Sequence, residues 1–192
     1  MIFERFKKEC FMPNKMTAIA SDLSPIVLCV SGHDPTGGAG ILTDAHAVRI
    51  AGAHPAGFIT ALTVQDTHHA HAVHAVDSAV LDAQWQTLCA DMPIAAVKVG
   101  LLADAQQTQW LMARLSTLCS ERFIPVVLDP ILRAGGGKNL ANAALMEAMQ
   151  ALATMCTLVT PNAYEAQLLG WQQGSLAQHT LISSAQVDEK QR

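Results

Sequence analysis

Several short stretches of this 192-residue chain carry side chains that could do chemistry. The first is Gly32-His33-Asp34-Pro35-Thr36-Gly37-Gly38-Ala39-Gly40, which follows an apolar run and precedes an amphipathic one. Glycines just before a helix let backbone N–H groups close around a ligand, and the helix N-terminus favours an anion. No Lys-Ser/Thr follows the last glycine and the spacing is not G-x-G-x-x-G, so the loop is neither a P-loop nor a dinucleotide fingerprint. Asp44 lies one helical turn beyond Gly40, where its carboxylate could still face the same loop. Gln65-Asp66 closes a second apolar run. A Gln amide offers both a donor and an acceptor, which suits the edge of an aminopyrimidine; a solvated loop amide is the plain alternative. Lys98-Val99-Gly100-Leu101-Leu102 supplies either apolar walls for a flat ring or ordinary strand core.

Two acidic elements follow. Asp129-Pro130-Ile131-Leu132-Arg133-Ala134-Gly135-Gly136-Gly137-Lys138 puts an acid ahead of a flexible basic loop. An Asp in that place can help hold Mg²⁺, and the loop can cover phosphates. Asn162-Ala163-Tyr164-Glu165 has the spacing of a helix capping box, and the same two oxygens could serve a hydrated Mg²⁺. His68, His69, His71 and His74 are half of the eight histidines. Their spacing matches no common zinc pattern and no Cys cluster accompanies them, which favours a polar loop or strand edge.

The elements that must position these residues alternate. Short apolar runs at 26–31, 56–64, 95–99, 125–129 and 157–160 read as buried strands. Between them, amphipathic patterns at 41–51, 78–91, 104–119, 140–153 and 162–169 read as helices. Strand, loop, helix, repeated, predicts an α/β fold with a mainly parallel sheet and helices on both faces. In such sheets ligands collect outside the carboxyl ends of the strands, where every stretch above falls. Residues 1–24 read as a loose N-terminal extension in which Met16 is a second candidate start, 25–171 as one domain, and 172–192 as a tail of uncertain order.

Composition narrows the function. Hydrophobic residues make up 51% and charged residues 15%, which excludes a charge-driven disordered chain. A formal charge of −4 offers nothing to a phosphate backbone, so no nucleic-acid partner is expected. No apolar run reaches the ~20 residues of a membrane helix, so no membrane partner is expected either. Cys10, Cys29, Cys89, Cys119 and Cys156 show no CxxC pair and read as reduced thiols of a cytoplasmic protein.

Five segments, LCVSGHDPTGGAGILTDAHAV, ITALTVQDT, AAVKVGLL, VVLDPILRAGGG and LVTPNAYEAQLLG, span residues 26–171 in order. Together they resemble the hydroxymethylpyrimidine and phosphomethylpyrimidine kinases of thiamine biosynthesis, in the ribokinase-like superfamily. The resemblance implies a three-layer ribokinase-like fold and ATP-dependent phosphorylation of hydroxymethylpyrimidine and then of its monophosphate. It implies that Gly32, Asp44 and Gln65 hold the aminopyrimidine, with Leu101 and Ile131 near its ring where the family commonly has Met and Val. Asn162 and Glu165 match the family's NxxE element, which organises Mg²⁺ and phosphates, with Asp129 nearby. ATP and Mg²⁺ are the implied cofactors, a small-molecule pyrimidine the implied partner, and a homodimer the implied assembly. Family chains run on into later strands, a Gly-rich phosphate segment and a GTGC-like anion hole with its base. No such motif follows Trp171, so the expected fold lacks its C-terminal part and the catalytic residue has no position here. The alternative is a catalytically inactive remnant that binds the pyrimidine or a partner chain. Of other small-molecule kinases, one acting on pyridoxal is the nearest alternative, and Gln65 favours the pyrimidine.

Overall fold

The computed structural model describes residues 24–120, 122–134, 138–171 and 179–180. The expected N-terminal extension with Cys10 and Met16, the glycines 135–137 and nearly all of the 172–192 tail lie outside the described residues.

The first strand, β1 (Ile26–His33), is buried on both faces and pairs in parallel with β2 (His54–Gln65) and β4 (Ile94–Val99). Between β1 and β2 runs α1 (Gly40–Ile50), which stops where Gly52 takes φ +80°, a left-handed conformation that glycine adopts without strain. Then come β3 (Ala70–Ala75), α2 (Ser78–Asp91), α3 (Ala105–Leu118) and β5 (Val126–Leu128). A two-stranded hairpin, β6 (Arg133–Ala134) and β7 (Lys138–Asn139), precedes α4 (Ala143–Ala153). The chain continues through β8 (Leu158–Val159) and α5 (Ala163–Leu168) to β9 (His179–Thr180). The main sheet has the order β3-β2-β1-β4-β5-β8-β9, and every pairing is parallel except β2–β3 at one edge.

The mainly parallel sheet predicted from the alternating pattern is therefore present. The His-rich stretch, expected as a polar loop or strand edge, folds back at Ala70–Ala75 as the antiparallel edge strand, and two local differences remain. The basic loop after Asp129 is partly ordered as the β6–β7 hairpin, extended by the Leu140 N–H bond to the Leu132 carbonyl at 2.9 Å. That pairing holds Leu140 out of a helix, so α4 begins after Asn142, whose side chain accepts from Leu145 N–H at 2.9 Å.

One face of the sheet carries the core. Leu28, Val30, Val97, Val99 and Leu128 meet Leu81, Trp85, Leu111, Leu115, Leu145, Met149 and Leu152 from α2, α3 and α4, all buried. Each such side chain contributes about 1.5–3 kcal/mol on burial. Trp85 anchors the layer, with its ring 5.7 Å from Phe58 and 6.0 Å edge-on from Trp110. Strand alternation turns Cys29, Ser31 and Lys98 to the opposite face, where α1 packs without a single buried residue. A buried amide, Gln107, fastens the loop ends together: its Nε2 donates to the carbonyls of Thr60 and Val76 at 2.9 Å each, and its Oε1 accepts from Ala103 N–H at 3.0 Å. No helix among the described residues is long and apolar enough to cross a membrane.

Candidate active site

The carboxyl ends of β1, β2, β4, β5 and β8 surround a cleft of about 430 Å³. Gly32, Gln65, Leu101, Ile131, Asp129, Asn162 and Glu165 all line it, so seven of the eight residues expected from the sequence converge on one cavity.

The glycine loop is built around Asp34, which is 5% exposed. Its Oδ1 accepts from Thr36 N–H at 2.8 Å and its Oδ2 from Ala39 N–H at 3.1 Å. Burial pushes this carboxyl up, but hydrogen bonds from Thr36, the Gln65 side chain and Ala39 N–H outweigh it and hold the group below its ordinary range. Gly40 has φ +68°, and a Cβ there would press into the Gly32 carbonyl oxygen, so only glycine lets the loop fold back against β1. Asp34 was not singled out from the sequence, although an Asp followed two positions later by a free N–H is a turn-forming signature.

The apolar wall is a small cluster of its own. Leu101, 6% exposed, packs with Ala61, and Ile131 lies against them. A Cβ on Gly32 would stand 3.2 Å from Leu101 Cδ2, so the missing side chain lets Leu101 pack directly against the β1 backbone. Gln65 ends β2 at the same cleft.

Acids dominate the other side. Asp129 is pushed up by burial, with Lys98 pulling it down and Asp44 adding to the rise. Glu165, 5% exposed, is also pushed up by burial, while its bond to Asn162 N–H counters this and the nearby Asp129 carboxylate adds to it. Two desolvated carboxylates, of which Asp129 raises Glu165 further, fit a hard divalent cation, which would relieve both penalties. Asn162 and Glu165 form the capping box, with Asn162 Oδ1 accepting from Glu165 N–H and Glu165 Oε2 from Asn162 N–H, both at 2.9 Å. Glu165 also accepts from the Leu132 N–H, which works with the Asn162 bonds against the rise. The Arg133 guanidinium also reaches the cleft and sits 3.7 Å above the Tyr164 ring, a cation–π contact the sequence did not reveal.

Asp44 is the expected residue that does not line the cleft. It is part-buried on α1 and bonded to Lys98 Nζ. The His cluster is organised by Asp66, whose Oδ1 accepts from the N–H groups of His68 and His69 at 2.7 and 2.8 Å and whose Oδ2 lies 3.1 Å from His71 Nε2. The two backbone donors, then His71, hold Asp66 well below the usual carboxylate range. Among the described residues no three His, Cys, Asp or Glu side chains gather as a metal site. Asp129 and Glu165 are a pair, to which Asn162 would add an amide oxygen.

Comparison with known proteins gives a consistent result. Residues 34–187 match the family model of phosphomethylpyrimidine kinase. The thiamine biosynthesis multifunctional protein ThiED of Corynebacterium efficiens is 38% identical over 149 residues, 76% of this chain and 19% of that protein. A hydroxymethylpyrimidine/phosphomethylpyrimidine kinase of Mycobacterium bovis is 33% identical over 146 residues, again 76% of this chain and 52% of that protein. The chain thus spans about a fifth of the multifunctional relative and about half the length of the curated kinase it matches. The crystal structure of a phosphomethylpyrimidine kinase from Clostridium difficile superposes with a TM-score of 0.68 at 26% identity, covering 76% of this chain and 62% of that one. Bacillus subtilis pyridoxal kinase, at 24% identity and a TM-score of 0.67, covers 78% of this chain and 55% of that one and shares the fold. The three-layer ribokinase-like architecture expected from the sequence is the architecture found.

Proposed function

The chain belongs to the phosphomethylpyrimidine kinase family, and on that premise we propose that its cleft binds hydroxymethylpyrimidine and its monophosphate for ATP-dependent phosphorylation in thiamine biosynthesis. The observation that carries this reading is the meeting of Gly32, Gln65, Leu101 and Ile131 with the carboxylate pair Asp129 and Glu165 in one cleft. A flat ring stacks on the Leu101–Ile131 wall, and Gln65 pairs with its polar edge. Asp44 acts on the ring only through Lys98 and the strand end that Lys98 braces.

In the reaction so assigned, the substrate hydroxymethyl oxygen forms a bond to the γ-phosphorus, the bond from that phosphorus to the β,γ-bridging oxygen breaks, ADP leaves and the hydroxyl proton is released. Mg²⁺, when bound, neutralises charge on the phosphate oxygens. Asp129 and Glu165, with Asn162, would hold it, and Arg133 is the cation at the cleft that can meet a phosphate. The base that takes the hydroxyl proton is not assigned among the described residues. The domain bounds of 25–171, a homodimeric assembly and a cytoplasmic location complete the reading, the last from the reduced-thiol pattern.

The test is a thermal melt of the chain with and without hydroxymethylpyrimidine. A ligand selective for the folded state raises the Tm by mass action. A rise that Gln65→Ala abolishes while the variant still melts cooperatively supports the assignment. An unmoved transition in the unsubstituted chain removes it.

A further inference from the structure

We propose that Arg133, braced against the Tyr164 ring, is the cleft's receptor for a phosphoryl group and makes it favour phosphorylated ligands, an inference that rests on the pyrimidine reading above. Among the described residues the cleft lining carries four carboxylates, Asp34, Asp66, Asp129 and Glu165, and one permanent cation, Arg133. A guanidinium that shares a cleft with carboxylates ordinarily closes a bidentate pair with one of them. Here it does not: among the described residues Arg133 joins no ion pair, and its side chain donates no hydrogen bond. Two contacts hold it apart. Its backbone pairs with Asn139 in the β6–β7 hairpin, and its Cζ sits 3.7 Å above the Tyr164 ring. That is ordinary van der Waals separation, so the flat face of the fork and not an N–H tip meets the ring. The N–H donors lie in the guanidinium plane and point out from its edge, so stacking uses none of them.

A planar fork with unused donors, in a cleft otherwise lined by acids, matches a phosphate, which accepts parallel N–H bonds from it. A neutral alcohol offers no such set of acceptors. Holding Arg133 off Asp129 and Glu165 also leaves their oxygens to a divalent cation. Tyr164 belongs to α5 beside Asn162 and Glu165 and does not itself line the cleft. It is thus a positioning residue that acts through Arg133, whereas Arg133 touches the ligand. The phosphoryl group is either the one carried by the pyrimidine monophosphate or the terminal phosphate of ATP.

The experiment is calorimetric titration of the whole chain, without Mg²⁺, with hydroxymethylpyrimidine, with its monophosphate and with ATP. Arg133→Met is expected to weaken a phosphorylated ligand at least about tenfold more than it weakens the alcohol. A selective loss for the monophosphate assigns the substrate phosphate, and a selective loss for ATP assigns the nucleotide. Tyr164→Leu should reproduce about two- to fivefold of the same selective loss, and Tyr164→Phe, which keeps the ring face, should not. A contact that only packs the hairpin on α5 would weaken all three ligands alike, and that result overturns the inference. So does an equal loss in Tyr164→Phe and Tyr164→Leu. In either case binding of the alcohol to the unsubstituted chain leaves the pyrimidine reading in place. Failure of the alcohol and the monophosphate to bind that chain removes the pyrimidine reading and this inference with it. Should Arg133→Met fail to fold, Tyr164 decides in the unsubstituted protein, because it is the chain's only tyrosine. With ¹³C-labelled tyrosine, its ring signal is expected to shift more with the monophosphate or ATP than with the alcohol, and equal shifts overturn the inference.

Discussion

Lys98 Nζ lies 2.8 Å from each carboxylate oxygen of Asp44, tying β4 to α1 across 54 positions of sequence. The pair is part-buried, with the Lys98 side chain 25% and the Asp44 side chain 15% exposed. Because α1 buries no residue of its own, this contact is its main polar fastening to the sheet. Exposed pairs contribute about 0–1 kcal/mol, whereas removing one partner of a fully buried pair costs about 3–5 kcal/mol. Lys98→Met is therefore expected to lower stability by about 2 kcal/mol in a urea titration, between those limits. The double variant Lys98→Met/Asp44→Leu should recover part of that loss. Losses that simply add would show that the two charges are not coupled.

Gly100 and Ser31 give a second test on the same face. A Cβ at Gly100 would lie 2.5 Å from Ser31 Oγ and 2.9 Å from Lys98 Nζ. Gly100→Ala should cost about 1–3 kcal/mol by overpacking. The Ser31 hydroxyl is fully buried and has no hydrogen-bond partner among the described residues. Ser31→Ala is therefore expected to leave the melting temperature unchanged or raise it, since it removes an unsatisfied polar group. A marked loss on Ser31→Ala would show that the hydroxyl has a partner.

The acid pair predicts a pH dependence. Asp129 and Glu165 are both raised in the fold by burial. Between their ordinary and raised values the folded chain holds more protons than the unfolded one, so their destabilising contribution is present at neutral pH. It is relieved as pH falls through the raised values and is gone below the ordinary carboxylate range. Mg²⁺ should stabilise the chain at neutral pH, where both are ionised, and lose that effect as pH falls through the same window. Melts with and without Mg²⁺ at pH 7.5 and at a pH below the ordinary carboxylate range check this, with Asp129→Asn as the control. An equal Mg²⁺ shift at both pH values would place the cation elsewhere.

The cysteines predict a labelling pattern. Burial pushes the Cys29 thiol up to about 11, with Asp44 adding to the rise, and pushes Cys156 up to about 12. At pH 8 a thiol raised to about 11 is roughly one part in a thousand thiolate, and its burial blocks access as well. Iodoacetamide should spare Cys29 and Cys156 in the native chain and modify both in denaturant, as peptide mapping would show. Modification of Cys156 at the native rate of an exposed thiol would contradict its packing.

Much of this was legible in the sequence because the signals were local. The period of the apolar residues predicted α2 at 78–91 to the residue. The strand ends announced themselves by an apolar run meeting Gly, Gln, Asp or Asn, so Gly32, Gln65, Asp129 and Asn162 fell where the cleft is. What escaped depends on distant partners. Asp44 looks inward from its own helix, but the nearest cation, Lys98, comes from β4 and takes its carboxylate. The His-rich stretch was legible only as a polar loop or strand edge, and pairing with β2 decides for the strand at Ala70–Ala75. Arg133 over Tyr164 joins a hairpin to a helix, which no window of neighbouring residues displays.

Gln107 has a mechanical consequence. Its three bonds use every donor of its amide and fix, at once, the middle of β2, the exit of β3 and the backbone after Leu101–Leu102. Thr60 adds a hydroxyl bond to the Leu101 carbonyl. The strand that ends in Gln65 and the segment that bears Leu101 are therefore tied to one another, so that a displacement of either wall of the cleft drags the other with it.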